Sequence, residues 1–253
     1  GRGLFSMFKR NKSKGPDSGD SGDSPTSSKG SPTITASTPK GKSDAVTRLF
    51  DQVGLPTIFG LLGYDDPDVR LHAIKVVANL AAEERHQMEI VREGGLPALY
   101  KVIRISNDEA TRRIAAGAIA NLAMNETIQE RLVTDGALKL IVNLAEMTED
   151  VQTKRMVAGG IANLCGNPAV QPRIISEGGL DCLLAFADSE TPHPDVQSQV
   201  ARGFANFAKC DASSAKKLVE KGVLPFIVSF SAMTDLPQIK RHADMAMAYI
   251  SMH

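Results

Sequence analysis

A short string returns along this chain at a fixed interval, and that interval limits the possible folds more than any other feature. The string reads Gly117-Ala-Ile-Ala-Asn-Leu-Ala-Met-Asn125. Its echoes are Lys75-Val-Val-Ala-Asn-Leu-Ala81, Gly159-Gly-Ile-Ala-Asn-Leu-Cys-Gly-Asn167 and Arg202-Gly-Phe-Ala-Asn-Phe-Ala-Lys209. The central asparagines, Asn79, Asn121, Asn163 and Asn206, lie 42, 42 and 43 residues apart. A second marker keeps step, with Leu55, Leu96, Leu138, Leu180 and Leu224 spaced by 41, 42, 42 and 44 residues. A constant period of this size predicts stacked supersecondary units in which each copy covers its neighbour's apolar face.

The second copy shows what one unit contains. Glu84–Glu93 suits a short first helix, and Gly94-Gly95 breaks it, because glycine readily takes the left-handed conformation that ends a helix. Pro97 then falls in the first turn of a second helix, where its missing N–H costs nothing. Leu96, Leu99, Tyr100 and Ile103 give that helix an apolar stripe at helical spacing. Ser106-Asn107-Asp108 supplies a turn and a cap. A longer third helix over Glu109–Met124 turns Ile114, Ala118, Ile119, Leu122 and Ala123 inward. No run with strand periodicity reaches a comparable length.

Three helices per unit, the first of them short, predict an all-α armadillo-type solenoid, a right-handed superhelix of three-helix repeats. Five repeats are expected, at about 43–83, 84–125, 126–167, 168–210 and 211–253. The last has Tyr249 in place of the asparagine and adds Met245, Met247 and Met252, as suits a capping unit with no following neighbour. With no tryptophan and 5% aromatic residues, the core must be built from Leu, Ile, Val, Ala and Met.

Residues 1–42 are of another kind. Leu4, Phe5, Met7 and Phe8, followed by Lys9, Arg10, Lys12 and Lys14, form a short apolar-basic head. Gly15–Lys42 is rich in Gly, Ser, Pro and Thr and lacks the apolar surface to offset its ordering entropy, so a flexible basic linker is expected. Ser24, Ser31 and Thr38 each precede proline and are candidate phosphoacceptors. Ala36-Ser-Thr-Pro-Lys-Gly-Lys-Ser43 imitates a phosphate-binding loop, but no strand delivers it and Ala36 stands where glycine is needed. No nucleotide site is read there.

Charge narrows the function. Residues 1–42 carry eight Lys/Arg against three Asp, and the remainder 21 against 26. The repeat region is therefore acidic overall, which argues against a nucleic-acid binder. No apolar run approaches the ~20 residues of a membrane span. Cys165, Cys182 and Cys210 have no metal-ligand spacing and read as reduced, buried thiols. No histidine pair or Ser/His/Asp grouping recurs, so no enzyme, cofactor, metal or small-molecule substrate is expected.

Binding is left to the face of the third helices. An Asn side chain offers two donors and one acceptor, so Asn79, Asn121, Asn163 and Asn206 could pair with the backbone of an extended peptide. They could equally bond a neighbouring helix, since such side chains commonly satisfy local backbone. Four residues before each Asn-equivalent stand Lys75, Gly117, Gly159, Arg202 and Met245; eight before stand Leu71, Arg113, Arg155, Ser198 and Arg241. Lys75, Arg113, Arg155, Arg202 and Arg241 thus form a candidate basic seam for an acidic or phosphorylated partner segment. Ion pairing with Asp68, Glu109 or Asp195 is the alternative use of the same charges.

The strings around these residues are more specific than a generic repeat. Val76-Val-Ala-Asn-Leu-Ala-Ala-Glu83, Arg113-Ile-Ala-Ala-Gly-Ala-Ile-Ala-Asn-Leu-Ala-Met-Asn125, Arg155-Met-Val-Ala-Gly159 and Val200-Ala-Arg-Gly-Phe-Ala-Asn-Phe-Ala-Lys-Cys210 are similar to the C-terminal armadillo tail of plant-type armadillo-repeat kinesins. The resemblance covers roughly residues 50–253. It implies a cytoplasmic, microtubule-associated protein whose motor and coiled coil would lie outside these residues. The tail would dock a cargo or partner, with a cytoskeletal kinase or motor adaptor as the partner class. A self-associating scaffold, or an adaptor docking membrane through the apolar-basic head, is the competing expectation. Nuclear-import armadillo proteins carry Trp four residues before the Asn; the residues found here remove those stacking walls and argue against basic import signals.

Overall fold

The computed structural model describes residues 52–252, apart from residue 234, and all regular structure among them is helical. The apolar-basic head, the linker with its Ser/Thr-Pro sites and the phosphate-loop look-alike lie outside the described residues. Backbone over 52–61 forms helix α1, and α2 follows at Pro67–Ala81. Helices then come in triplets. The first is α3 (Glu84–Arg92), α4 (Gly95–Ile105) and α5 (Glu109–Leu122); the second is α6 (Glu126–Thr134), α7 (Ala137–Met147) and α8 (Val151–Leu164). The third is α9 (Gln171–Ser176), α10 (Gly179–Ala187) and α11 (Pro194–Ala208); the fourth is α12 (Ala212–Glu220), α13 (Leu224–Ser231) and α14 (Pro237–Ser251). The long helices α2, α5, α8, α11 and α14 pack each on the next, and this layer is the spine of an armadillo-type solenoid.

The positions expected to face inward on α5 do so: Ile114, Ala118, Ile119, Leu122 and Ala123 are all buried. The core is continuous along the stack and built from aliphatic side chains, with Phe204, Phe207 and Phe230 its largest fully buried members. Long helices approach closely where side chains are smallest. A Cβ on Gly160 would sit 3.5 Å from Ala120 Cα, and one on Gly203 the same 3.5 Å from Ala162 Cα.

Caps recur with the same period. Asp66 Oδ1 accepts from the N–H groups of Asp68 (2.8 Å) and Val69 (3.2 Å) at the start of α2. Asp108 does the same for Ala110 and Thr111 on α5, and Asp150 for Thr153 on α8. His193 Nδ1 accepts from Asp195 N–H on α11. Only a side chain one residue before the helix reaches those N–H groups, so Asp108 does the capping in the Ser106–Asp108 turn. The series stops at α14, which starts after Leu236 with no side-chain cap.

The paired glycines divide their work. Gly94 takes φ 87° and turns the chain between α3 and α4, as Gly136 does with φ 87° between α6 and α7. Gly95 already belongs to α4 and is glycine for want of space. A Cβ there would lie 2.5 Å from Ile90 Cγ2, 2.7 Å from the Ile90 carbonyl oxygen and 2.9 Å from Phe59 Cζ. The equivalent Gly179 faces Ile174 in the same way, at 3.1 Å from its Cγ2. Where the residue five earlier is unbranched at Cβ, Leu132 or Leu218, a side chain fits and Ala137 or Val223 appears. Gly95→Ala should lower unfolding free energy by about 2 kcal/mol in urea denaturation, the usual cost of overpacking. Adding Ile90→Leu should recover part of that loss, because the Cγ2 contact goes while the carbonyl contact stays.

Candidate functional site

The recurrent asparagines lie on the long helices, and their amides cross from one helix to the one before. Asn163 Nδ2 donates to the Ala120 carbonyl at 2.8 Å, and Asn206 Nδ2 to the Ala162 carbonyl at 2.8 Å. Each receiving carbonyl belongs to the residue just before the preceding Asn. Each amide therefore spends one hydrogen on the spine and keeps a second for other use. Asn121 is buried to 1% exposure, and its main-chain carbonyl accepts from Gln87 Nε2 at 3.4 Å. Asn79 is partly exposed on α2, with no long helix before it among the described residues.

The five candidate cations fall into two groups. Lys75 and Arg241 are exposed. Arg113, Arg155 and Arg202 are drawn into the stack. Arg113 Nη1 lies 3.4 Å from Asp150 Oδ2, so this cation serves the cap of the following long helix. Burial pushes the Asp150 carboxyl up, but hydrogen bonds from Thr153 and the charge and hydrogen bond of Arg113 outweigh it and leave the group below its ordinary value. Of the pairing partners weighed from the sequence, Glu109 meets Arg112, outside the candidate seam, at 3.4 Å and accepts from the Thr148 and Thr153 hydroxyls.

Arg202 lies back across α8. Its Nη1 donates to Asn163 Oδ1 at 2.7 Å, and its Nη2 to the Gly159 carbonyl at 3.2 Å and to Gln199 Oε1 at 2.7 Å. Gly159 carries no side chain to screen that carbonyl, which gives this helix-interior glycine a concrete use. Arg155 is 7% exposed; its Nε donates to Gln152 Oε1 at 3.0 Å. Burial lowers the pKa of both guanidinium groups, with Asp195 opposing the shift at Arg155 and Cys165 opposing it at Arg202. Arg155, Arg202, Asp195 and His242 border a cleft of about 590 Å³ between α8, α11 and the start of α14. Burial, then the nearby Arg202 and Arg241, hold His242 below the usual histidine value. Cys165 and Cys182 are buried; burial pushes both thiols up, Cys182 to about 12, and neither is a ready nucleophile.

A third periodic set emerges only from the structure. Gln87, Gln129 and Gln171, spaced 42 and 42 residues, are buried at the starts of the short helices. Gln129 Nε2 donates to the Ala123 carbonyl at 2.8 Å and the Asn163 carbonyl at 3.3 Å, and its Oε1 accepts from Asn167 Nδ2 at 2.9 Å. Gln87 joins Ala81, Asn121 and Asn125 in the same pattern. Gln171 joins Cys165 and Phe207, and accepts from the Ser214 hydroxyl. Each amide closes the end carbonyls of two successive long helices and bonds a polar side chain near the start of the next triplet: Asn125, Asn167 or Ser214. Ala215 stands at the corresponding place in α12. Spacing alone could have revealed this set, but glutamine in a charged short helix reads as solvent-facing.

Among the described residues, no helix is long and apolar enough to cross a membrane, and no cluster of His, Cys, Asp or Glu has the makings of a metal site.

Comparison with known proteins agrees with this architecture. The Armadillo/beta-catenin-like repeat family matches residues 84–124. Kinesin-like protein KIN-UB of Oryza sativa subsp. japonica is 57% identical over 221 residues, which is 84% of this chain and 24% of that protein. Kinesin-like protein KIN-UA of Arabidopsis thaliana is 58% identical over 216 residues, 82% of this chain and 23% of that protein. The chain thus spans about a quarter of the length of the curated relatives it matches. Among solved structures, a computationally designed armadillo repeat protein for modular peptide recognition superposes with TM-score 0.73 at 23% identity, over 81% of this chain and 86% of that one. A designed armadillo repeat protein in complex with the peptide (KR)4 gives TM-score 0.73 at 23% identity, over 82% and 86% of the two chains. These two likenesses concern the fold.

Proposed function

We propose, from the premise that this chain is an armadillo-repeat solenoid of the kind found in plant kinesin-like proteins, that it is the partner-docking tail of a microtubule-based motor. In this reading Asn79, Asn121, Asn163 and Asn206 would bond the backbone of an extended partner segment, and Lys75, Arg113, Arg155, Arg202 and Arg241 would attract its acidic groups. The partner is an acidic protein segment, a cytoskeletal kinase or motor adaptor being the class that fits. The protein acts by binding rather than catalysis, in the cytoplasm and on microtubules; motor ATPase activity would belong to parts of the parent outside these residues. Tail limits at residue 43 and five repeats to residue 253 complete the proposal.

One observation carries this reading: cations recur four and eight residues before the asparagine position on successive long helices, a spacing that sets them on one side of a helix, in a domain that is acidic elsewhere. Such focusing raises the local concentration of anionic segments and speeds their association. Single surface ion pairs add little, so the effect must come from the array.

The test uses the full chain and two labelled octapeptides, (Glu-Asp)4 and (Lys-Arg)4, followed by fluorescence anisotropy. The acidic peptide should bind, and should weaken by about tenfold in the Lys75→Glu/Arg241→Glu double variant, whose substitutions touch only exposed side chains. The basic peptide should bind no better than background. No binding of (Glu-Asp)4, or binding untouched by the charge reversals at unchanged melting temperature, would reject the groove.

A further inference from the structure

The cleft between α8, α11 and α14 is built differently from the rest of the long-helix face. Arg155 enters it from α8 and is more than nine-tenths buried. Its Nε is held by Gln152, while its two Nη groups make no hydrogen bond or ion pair among the described residues. Burial of most of the side chain fixes this guanidinium in place, and its unbonded Nη groups are left to the cleft, where an incoming anion could meet them. Arg202 faces the same space from α11 with its Nε buried and unbonded. Its Nη groups meet only neutral partners, Asn163, Gly159 and Gln199, so its charge is also uncompensated.

The third wall is the start of α14. Leu236, Pro237 and Gln238 line the cleft there, and this long helix is the one that lacks the side-chain cap its four predecessors carry. The positive dipole end of α14 thus borders the same cleft as two guanidinium groups; Pro237 has no N–H, and the Ile239 and Lys240 N–H groups bond the Leu236 carbonyl, which leaves the Gln238 N–H as the backbone donor there. Asp195 is the single acidic residue on the rim, and it makes no ion pair with either arginine. Ser198 and Gln199 add neutral polar groups.

From this arrangement we infer that the cleft is a phosphate pocket that seats a phosphorylated serine or threonine of the partner segment. The inference rests on the groove-binding reading above and names the chemistry the groove selects. Donors converge from three helices, which matches the three terminal oxygens of a phosphomonoester; a carboxylate presents two oxygens in one plane. The volume of about 590 Å³ accommodates that group together with its backbone, and the cleft opens onto the face that carries Asn163 and Arg202.

The experiment compares two labelled peptides with the full chain: (Glu-Asp)4, and the same octapeptide with one central Glu replaced by phosphoserine. The phosphopeptide should bind about tenfold tighter, and that gain, read as the ratio of the two affinities in the same protein, should vanish in Arg155→Gln. Ser198→Glu sets a carboxylate on the rim of the cleft without disturbing a buried charge, and should remove the gain as well. It decides the matter if Arg155→Gln melts early. Equal binding of the two peptides by the unaltered chain, or a gain that survives both substitutions, overturns the pocket and leaves the groove standing. Failure of both peptides to bind removes the groove and the pocket together.

Discussion

Gln129→Leu should lower the unfolding free energy by about 3 to 4 kcal/mol, although it keeps a side chain of similar volume in place. The glutamine amide supplies hydrogen bonds to Ala123 and Asn163 carbonyls that lie at the ends of α5 and α8. Helix-end carbonyls have no partner within their own helix and must find one elsewhere. With leucine in the gap they are sealed from water and unpaired, at about 1 to 3 kcal/mol for each group. Asn167 loses its acceptor as well and is left with the bond it accepts from the Ala169 N–H. Urea denaturation of the full chain measures the loss, and Gln129→Glu separates polarity from shape. That variant has the same outline but turns an acceptor toward two carbonyl oxygens, so its carboxyl should hold a proton and its stability should rise as pH falls. A Gln129→Leu protein as stable as the parent would show that water reaches these carbonyls.

Gly203→Val carries the second large effect, an expected loss of about 3 kcal/mol from overpacking at a helix crossing. The space for even one carbon is short: a Cβ at Gly203 would stand 2.7 Å from Leu183 Cδ1, 3.4 Å from Ala162 Cβ and 3.5 Å from Ala162 Cα. Leu183 can swing its terminal methyl away, but the Ala162 backbone cannot, so the branched carbons of valine must push α11 off α8. The Asn206–Ala162 and Arg202–Gly159 hydrogen bonds span this same crossing and would lengthen with it. Gly203→Ala is the informative control. It gains up to about 1 kcal/mol of helix propensity against a clash that a side chain can relieve, so it should lie much nearer the parent. Thermal denaturation of both variants checks the order, and a valine variant that melts with the parent would mean that the helices are not in close contact there.

Much of this architecture was legible because the repeat writes its constraints many times. Apolar spacing on α5 identified the buried side chains, and the glycine and proline markers located the breaks between helices. What the letters could not convey was how each polar group spends its hydrogen bonds. Arg155 and Arg113 hold equivalent places in the sequence, yet Arg113 reaches Asp150 while Arg155 is buried beside Gln152. The difference arises in the next long helix, which starts with Asp150 in one case and with His193 in the other. Arg202 could not be assigned to Gly159 without knowing that helices 43 residues apart in sequence pass within reach of one another. Gln129 was hidden for the opposite reason: its spacing was plain, but its amide has value only once two helix ends and the Asn167 amide arrive beside it.

The glutamine series also dictates how this domain would respond to being pulled. Every such residue ties its own triplet to those on either side and to nothing farther away, so tension applied at the two ends is carried by the joints in series. The joint before α12–α14 lacks the two amides that brace the others, since Ala215 and Tyr249 stand there in their place. A tether of this construction should give way one unit at a time and lengthen in steps while the remaining units keep their shape.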